Sequence, residues 1–192
     1  MPMFREAGSE RFRGQIVGPA RAALAPAPVL LRRASAADAE ALAWIIRTAF
    51  AEYRDRLSPP SPALQESSAR LSALLQGGGG AFLAECGGQV AGCVLYEHRG
   101  DHLYLSRLSV LPRTRGRGLA RALTSVVERR AAELGLGCVR LSVRRALPRN
   151  QAMYLHFGYQ HFGTGEAAGC PSAASEMLEK HLRAACRIRQ QH

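Results

Sequence analysis

Lysine is almost missing from this chain. Lys180 is the only one among 26 basic residues, which stand against 15 Asp and Glu and give a formal net charge of +11. So complete a replacement by arginine, beside heavy use of Ala and Gly, reads as a coding bias, and the surplus does not by itself mark a polyanion-binding face. Aromatic residues are scarce too, at 6%, and are not interleaved with the arginines. With no zinc-finger, RNP or KH signature, nucleic acid is not an expected partner. The five cysteines (Cys86, Cys93, Cys138, Cys170, Cys186) are odd in number and scattered, none in a Cys-x-x-Cys pair. No His or Cys set has metal-ligand spacing, so neither a disulfide framework nor a metal is expected, and the reducing cytoplasm is the expected compartment. No apolar run reaches the roughly 20 residues that cross a bilayer, so no membrane role is expected.

What is present suffices for one globular domain: 192 residues, 47% of them hydrophobic, which need no staple to hold a core. Residues 1–28 read as a disordered leader, 29–183 as the domain and 184–192 as a basic tail. A first strand is predicted at Val29–Arg33. Ser35 then caps a helix from Ala36 to Leu57, with Asp38 at the capping-box position and Leu42, Ile45, Ile46, Ala49, Phe50 and Tyr53 inward. The Ser58-Pro59-Pro60-Ser61-Pro62 run breaks it, and a second helix is predicted from Ala63 to Gln76. Gly87-Gly88 between two apolar runs predicts a hairpin of 81–86 with 89–96, and His102–Val110 the next strand. The pattern then becomes helical from Gly118 to Leu134 and extended again at Cys138–Val143, a strand–helix–strand order that implies a parallel pair. A short helix (Arg149–Phe157) and two closing strands (Tyr159–Gly165, Glu176–Leu182) follow. The predicted class is α/β: a mixed sheet, antiparallel at its N-terminal end, with helices on both faces.

The stretch that carries chemistry is Val110-Leu-Pro-Arg-Thr-Arg115-Gly116-Arg117-Gly118-Leu119-Ala120. A strand ends, an Arg/Gly loop follows and a helix begins. The first turn of a helix has unpaired N–H groups and a partial positive charge of roughly half an elementary unit. Glycines let backbone approach a bulky anion, and the arginines add charge, so the segment is a phosphate cradle. It lacks the Gly-Lys-Ser/Thr ending of a P-loop. It also lacks the third Gly/Ala of a dinucleotide fingerprint, where Arg121 stands.

Arg115-x-x-Gly118-x-Ala120 resembles the Gln/Arg-x-x-Gly-x-Gly/Ala signature of the GNAT-superfamily N-acetyltransferases. Arg107 to Pro112 is similar to the family's approach to that loop. Asn150-x-x-x-Tyr154-x-x-x-Gly158-Tyr159 is similar to its second signature. The resemblance spans about Val29 to Leu182. It implies a GNAT-like fold in which the strand ending at Val110 splays from its parallel neighbour, with acetyl-CoA as co-substrate in the gap. It further implies that pantetheine pairs with the backbone of Leu108, Ser109 and Val110. The N–H groups of Arg115, Gly116, Arg117, Gly118, Leu119 and Ala120 then hold the pyrophosphate. Asn150 contacts the cofactor, and Tyr154 sits beside its sulfur as general acid. The acceptor is an amine of a small molecule or protein. A homodimer is expected only by analogy with the family.

No acidic residue lies within the strand that approaches the loop. Glu97, His98, Asp101 and His102 stand at its entrance as candidate bases, with a water chain as the alternative. Because a base is missing, a degenerate acyl-CoA sensor stands beside the enzyme as a second reading, and an Arg-rich nucleic-acid module as a third. The arginine clusters 140/144/145/149 and 183/187/189 read as solvated faces or as sites for an acidic acceptor or the CoA 3′-phosphate.

Overall fold

A seven-stranded sheet in the order β1-β2-β3-β4-β5-β7-β6 organises the chain. The computed structural model describes residues 28–167 and 170–182. The leader to residue 27, the basic tail, its arginines and Cys186, and the side chain of Cys170 lie outside the described residues. The strands are β1 (Val29–Arg33), β2 (Gly80–Cys86), β3 (Gln89–Arg99), β4 (His102–Val110), β5 (Cys138–Arg144), β6 (Gln160–Ala167) and β7 (Cys170–His181). The helices are α1 (Ala39–Phe50), α2 (Ser68–Gln76), α3 (Leu119–Glu133) and α4 (Pro148–His156). β1 to β4 are antiparallel, β4 and β5 are the parallel pair, and the β6/β7 hairpin closes the far edge antiparallel to β5.

Both predicted N-terminal helices are shorter than their periodicity suggested. Residues Ala36–Asp38 and Ala51–Tyr53 form 3₁₀ turns at either end of α1, so the α-helix stops at Phe50 and not at Leu57. The second helix is split. Residues 62–65 are 3₁₀, Glu66 is extended at ψ 134°, and α2 restarts with Ser67 accepting from the Arg70 N–H at 3.3 Å. A serine able to cap outcompetes continuation of the helix through it.

Side-chain alternation along the strands sorts the core into two layers. Phe82, Val94, Tyr96, Leu103, Leu105, Val139 and Leu141 pack against α3, Tyr154 and Tyr159 on one face. Ala81, Leu83, Cys93 and Leu95 pack against α1 and α2 on the other. Lys180 ties β7 to α3 and to the end of α4 on the first of these faces, its Nζ donating to Glu128 Oε2 and to the Phe157 carbonyl, both at 2.9 Å.

Two irregularities of β4 shape the site. Its pairing with β5 lasts three residues only: His102 opposite Cys138, Leu103 opposite Val139 and Tyr104 opposite Arg140. Just beyond, the Tyr104 hydroxyl meets Ser142 Oγ at 2.8 Å; then the strands diverge. On the β3 side Cys93 pairs with Ser109 but Leu95 with Ser106, so β4 carries an extra residue. Arg107 absorbs this bulge at φ 51°, a left-handed conformation that costs a non-glycine residue about 1–2 kcal/mol.

Candidate functional site

The divergence of β4 from β5 opens a cleft of about 880 Å³. Its walls come from both signature segments and from the end of α1. Leu108, Ser109, Val110, Arg115, Gly116, Gly118, Leu119, Ala120, Asn150 and Tyr154 all line it. Of the residues predicted to bind the cofactor or act as general acid, Arg117 alone stays outside this lining: it is exposed, its guanidinium 3.6 Å from Cys86 Sγ. Ser109 contributes backbone, since its buried hydroxyl donates to the Arg107 carbonyl at 2.9 Å.

Backbone direction follows from the β3 ladder. The Leu111 N–H donates to the Ala91 carbonyl of β3, so by alternation the polar groups of Val110 and Leu108 face the open side. The Val110 carbonyl does accept there, from Arg115 Nε at 3.2 Å. An unpaired strand edge of this kind is a template for another extended, amide-bearing chain.

Gly116 (φ 76°) and Gly118 (φ 75°) are both left-handed, and space is open where a Cβ would project. Gly118 caps α3. The first intrahelical bond there is Ala122 N–H to the Gly118 carbonyl, which leaves the N–H groups of the first turn free of intrahelical partners. The Arg115 side chain turns away from this anion cradle and grips Glu52 with two bonds of 2.7 and 3.0 Å. Those bonds hold the Glu52 carboxyl below its ordinary pKa against the opposing effect of burial. Sequence reading credited Arg115 to the phosphate site; the fold assigns its backbone to the loop and its side chain to α1.

Tyr154 on α4 is buried, its ring edge-on to Tyr159 at 5.7 Å. Burial pushes its hydroxyl well above the ordinary value of 10.0, with the nearby Tyr104 and Tyr53 adding to the shift. Asn150 donates to the Tyr53 hydroxyl at 3.4 Å, joining α4 to the end of α1. Burial raises the Tyr53 phenol, and the Asn150 bond opposes that shift.

Glu52, Tyr53 and Arg56 line the cleft, and the sequence reading did not place them there. Tyr53 lay on the inward stripe of the first helix and read as core. The only available signal was that this stripe runs past the point where the α-helix can continue.

Glu97, His98, Asp101 and His102 are corrected as candidate bases. They lie at the end of the β3/β4 pair away from Val110, roughly 20–25 Å from it at strand rise, and none lines the cleft. Asp101 and His102 bond each other at 2.8 Å.

The arginine cluster of β5 is largely spent within the fold. Arg140 pairs with Glu179, Arg145 with Glu176, and Arg144 donates to the carbonyls of Ser58 and Pro59; only Arg149 lines the cleft. Strand register also gathers Cys138, Glu179 and His181, their ligand atoms within 4.8 Å, a grouping invisible as sequence spacing. Glu179 is already held by the Arg140 guanidinium at 3.0 Å, a cation that a metal ion would have to displace. No described helix is long and apolar enough to cross a membrane.

Residues 40–159 match the sequence profile described as the acetyltransferase (GNAT) family. The chain is 30% identical over 155 residues to the uncharacterized N-acetyltransferase YjgM of Escherichia coli K12, covering 77% of this chain and 90% of that protein. Among solved structures it is similar to the PaiA N-acetyltransferase of Thermoplasma acidophilum in complex with coenzyme A. The TM-score there is 0.69 at 18% identity, over 81% of this chain and 99% of that one. It is also similar to YncA of Salmonella typhimurium with its cofactor acetyl-CoA, at TM-score 0.62 and 17% identity, over 81% and 95%. Identities this low speak to the fold alone.

Proposed function

The chain belongs to the GNAT family of acetyl-CoA-dependent N-acetyltransferases, and from that premise we propose that it acetylates a primary amine of a small molecule or protein by direct attack within a ternary complex. The observation that carries this is the cleft itself, where an unpaired β4 edge, the Gly116–Ala120 helix start and the Asn150/Tyr154 face of α4 meet.

In this reading the pantetheine amides pair with the open edge at Leu108 to Val110, and the N–H groups of Arg115 to Ala120 hold the pyrophosphate. That places the thioester between Val110 and Tyr154. A neutral amine attacks the carbonyl carbon, a backbone N–H near Val110 stabilises the oxyanion, and the C–S bond breaks. Tyr154 stays protonated at any working pH because its pKa is raised. Full transfer to a thiolate of pKa about 8.5 is then uphill. Tyr154 therefore serves as a hydrogen-bond donor to the departing sulfur, which leaves as the thiolate and takes its proton from water. No side chain is assigned as base. Glu52 is a poor one, held ionised by Arg115, and water carries the amine proton away.

Calorimetry with CoA and acetyl-CoA, followed by free-thiol release over an amine panel, tests the reading. Binding of both CoA species and amine-dependent thiol release are expected. Absence of binding by either at saturating concentration sinks it.

A further inference from the structure

Glu66 is the most deeply buried acid in the described chain. It lies where the second helix breaks, its side chain has no exposed area, and each of its oxygens is taken. Arg70 Nη1 donates to Oε1 at 2.6 Å, Arg107 Nε to Oε2 at 2.8 Å, and Arg47 Nη1 to its carbonyl at 2.7 Å. A carboxylate removed from water is tolerated only when it is paired in this way. One partner, Arg107, is the left-handed residue of the β4 bulge and is itself only 12% exposed.

The bulge immediately precedes Leu108, the first residue whose backbone faces the cleft. The segment from residue 54 to 67 also reaches the opposite arm, since Arg144 of β5 donates to the carbonyls of Ser58 and Pro59 at 3.1 and 3.0 Å. One connection thus grips both diverging strands, and Glu66 is its fixing point on β4.

We propose that Glu66 is a positioning residue for acetyl transfer: by clamping Arg107 it holds the left-handed bend that aims the Leu108–Val110 backbone at the thioester. Neither Glu66 nor Arg107 lines the cleft. Neutralising Glu66 leaves the Arg107 guanidinium, only 12% exposed, without its counter-charge, so Arg107 swings out and the bend relaxes. The phosphate loop stays in place, because its shape depends on Gly116 and Gly118 at the start of α3 and not on the bulge. The expected signature is thioester alignment lost while cofactor binding is kept.

The inference rests on the cleft being an acetyl-CoA site. Isotope-edited infrared spectroscopy of [1-¹³C]acetyl-CoA bound to the full chain reads the hydrogen bond to the carbonyl directly, and calorimetry with CoA reads binding separately. In the wild type the carbonyl band shifts from its position in solution. In Glu66→Gln it returns most of the way and broadens, while the CoA Kd stays within about three-fold, well short of the tenfold that 1.4 kcal/mol would produce. Glu66→Gln combined with Arg107→Gly recovers the shift, because glycine takes φ 51° without a clamp.

Should Glu66→Gln fail to fold, Arg107→Ala against Arg107→Gly carries the same contrast, alanine losing the shift and glycine keeping it. An unshifted response to Glu66→Gln, or alanine and glycine behaving alike at 107, overturns the clamp alone. A wild type that binds no acetyl-CoA overturns the clamp together with the reading beneath it.

Discussion

Strand β4 has two edges, and they have opposite fates. Against β3 it is paired from His102 to Val110 with one bulge; against β5 it is paired for three residues and then stands open. The closed edge sits over continuous apolar packing from both layers, and its backbone pairs with β3 on either side of the bulge. The open edge presents amides to a cleft, with Arg115 reaching one carbonyl from the side. A single strand thus serves as scaffold on one side and as receptor on the other, and the change happens without a break in the chain.

Substitutions can strain each edge separately. Leu123 of α3 is fully buried, and its Cδ1 lies 3.3 Å from where a Cβ on Gly92 of β3 would stand. Leu123→Ala is expected to cost about 2–5 kcal/mol of stability, measured by chemical denaturation, with CoA affinity per folded molecule unchanged. A proportional loss of affinity would mean that the two edges are not separable.

On the open side, Tyr154→Phe should lower kcat about 100-fold, or roughly 2.7 kcal/mol of barrier, with little change in melting temperature. The raised phenol also implies that wild-type kcat does not fall as pH passes through 10.0, the ordinary tyrosine value. Full kcat in the variant across pH would remove Tyr154 from the chemistry.

Gly118→Val forces a β-branched residue to φ 75° at the helix start. It is expected to cost about 1–2 kcal/mol of stability and to weaken CoA about tenfold, while the closed edge is untouched; titration calorimetry reads the affinity.

The smallest effect belongs to the link between α1 and the loop. The Arg115–Glu52 pair is partly exposed, at 41% and 34%, so Arg115→Gln should cost no more than about 1 kcal/mol. Glu52 has its folded-state pKa lowered from 4.5, so its contribution is complete above that value and is lost as pH falls through the lower one. The melting-temperature gap between wild type and variant should therefore close in acid, and a gap that widens there would assign the stabilisation to another group.

Much of this comparison is legible in the sequence. Alternation in β2 to β4, the Gly87-Gly88 hairpin and the switch to helical period after Gly118 locate the parallel joint, and the two signature segments do meet at it. Three features were hidden, each for a physical reason. Glu52 and Tyr53 reach the cleft only because α1 tightens into a 3₁₀ turn after Phe50. Glu66 looks like one polar residue in a helical run, and its burial follows from a helix break that Ser67 capping creates. Arg107 gives no sign of positive φ, since that conformation is favoured by glycine and is imposed here by tertiary contacts. The entrance residues Glu97 to His102 misled because nearness in sequence to the motif strand hid nine residues of extended chain.

The single lysine has a practical side. Lys180 holds its Nζ between the Glu128 carboxylate and the Phe157 carbonyl, both at 2.9 Å, and that nitrogen is directed into the fold and not towards the cleft. A catalyst of amine acylation whose own side chains offer one amine, already engaged, provides little background self-labelling. Radioactive or mass-tagged acetyl found on lysine after a reaction with a protein acceptor would therefore report the acceptor far more than the catalyst. Amine-directed probes would likewise find a single side-chain target in this sequence, and tryptic digestion would cut it almost wholly after arginine.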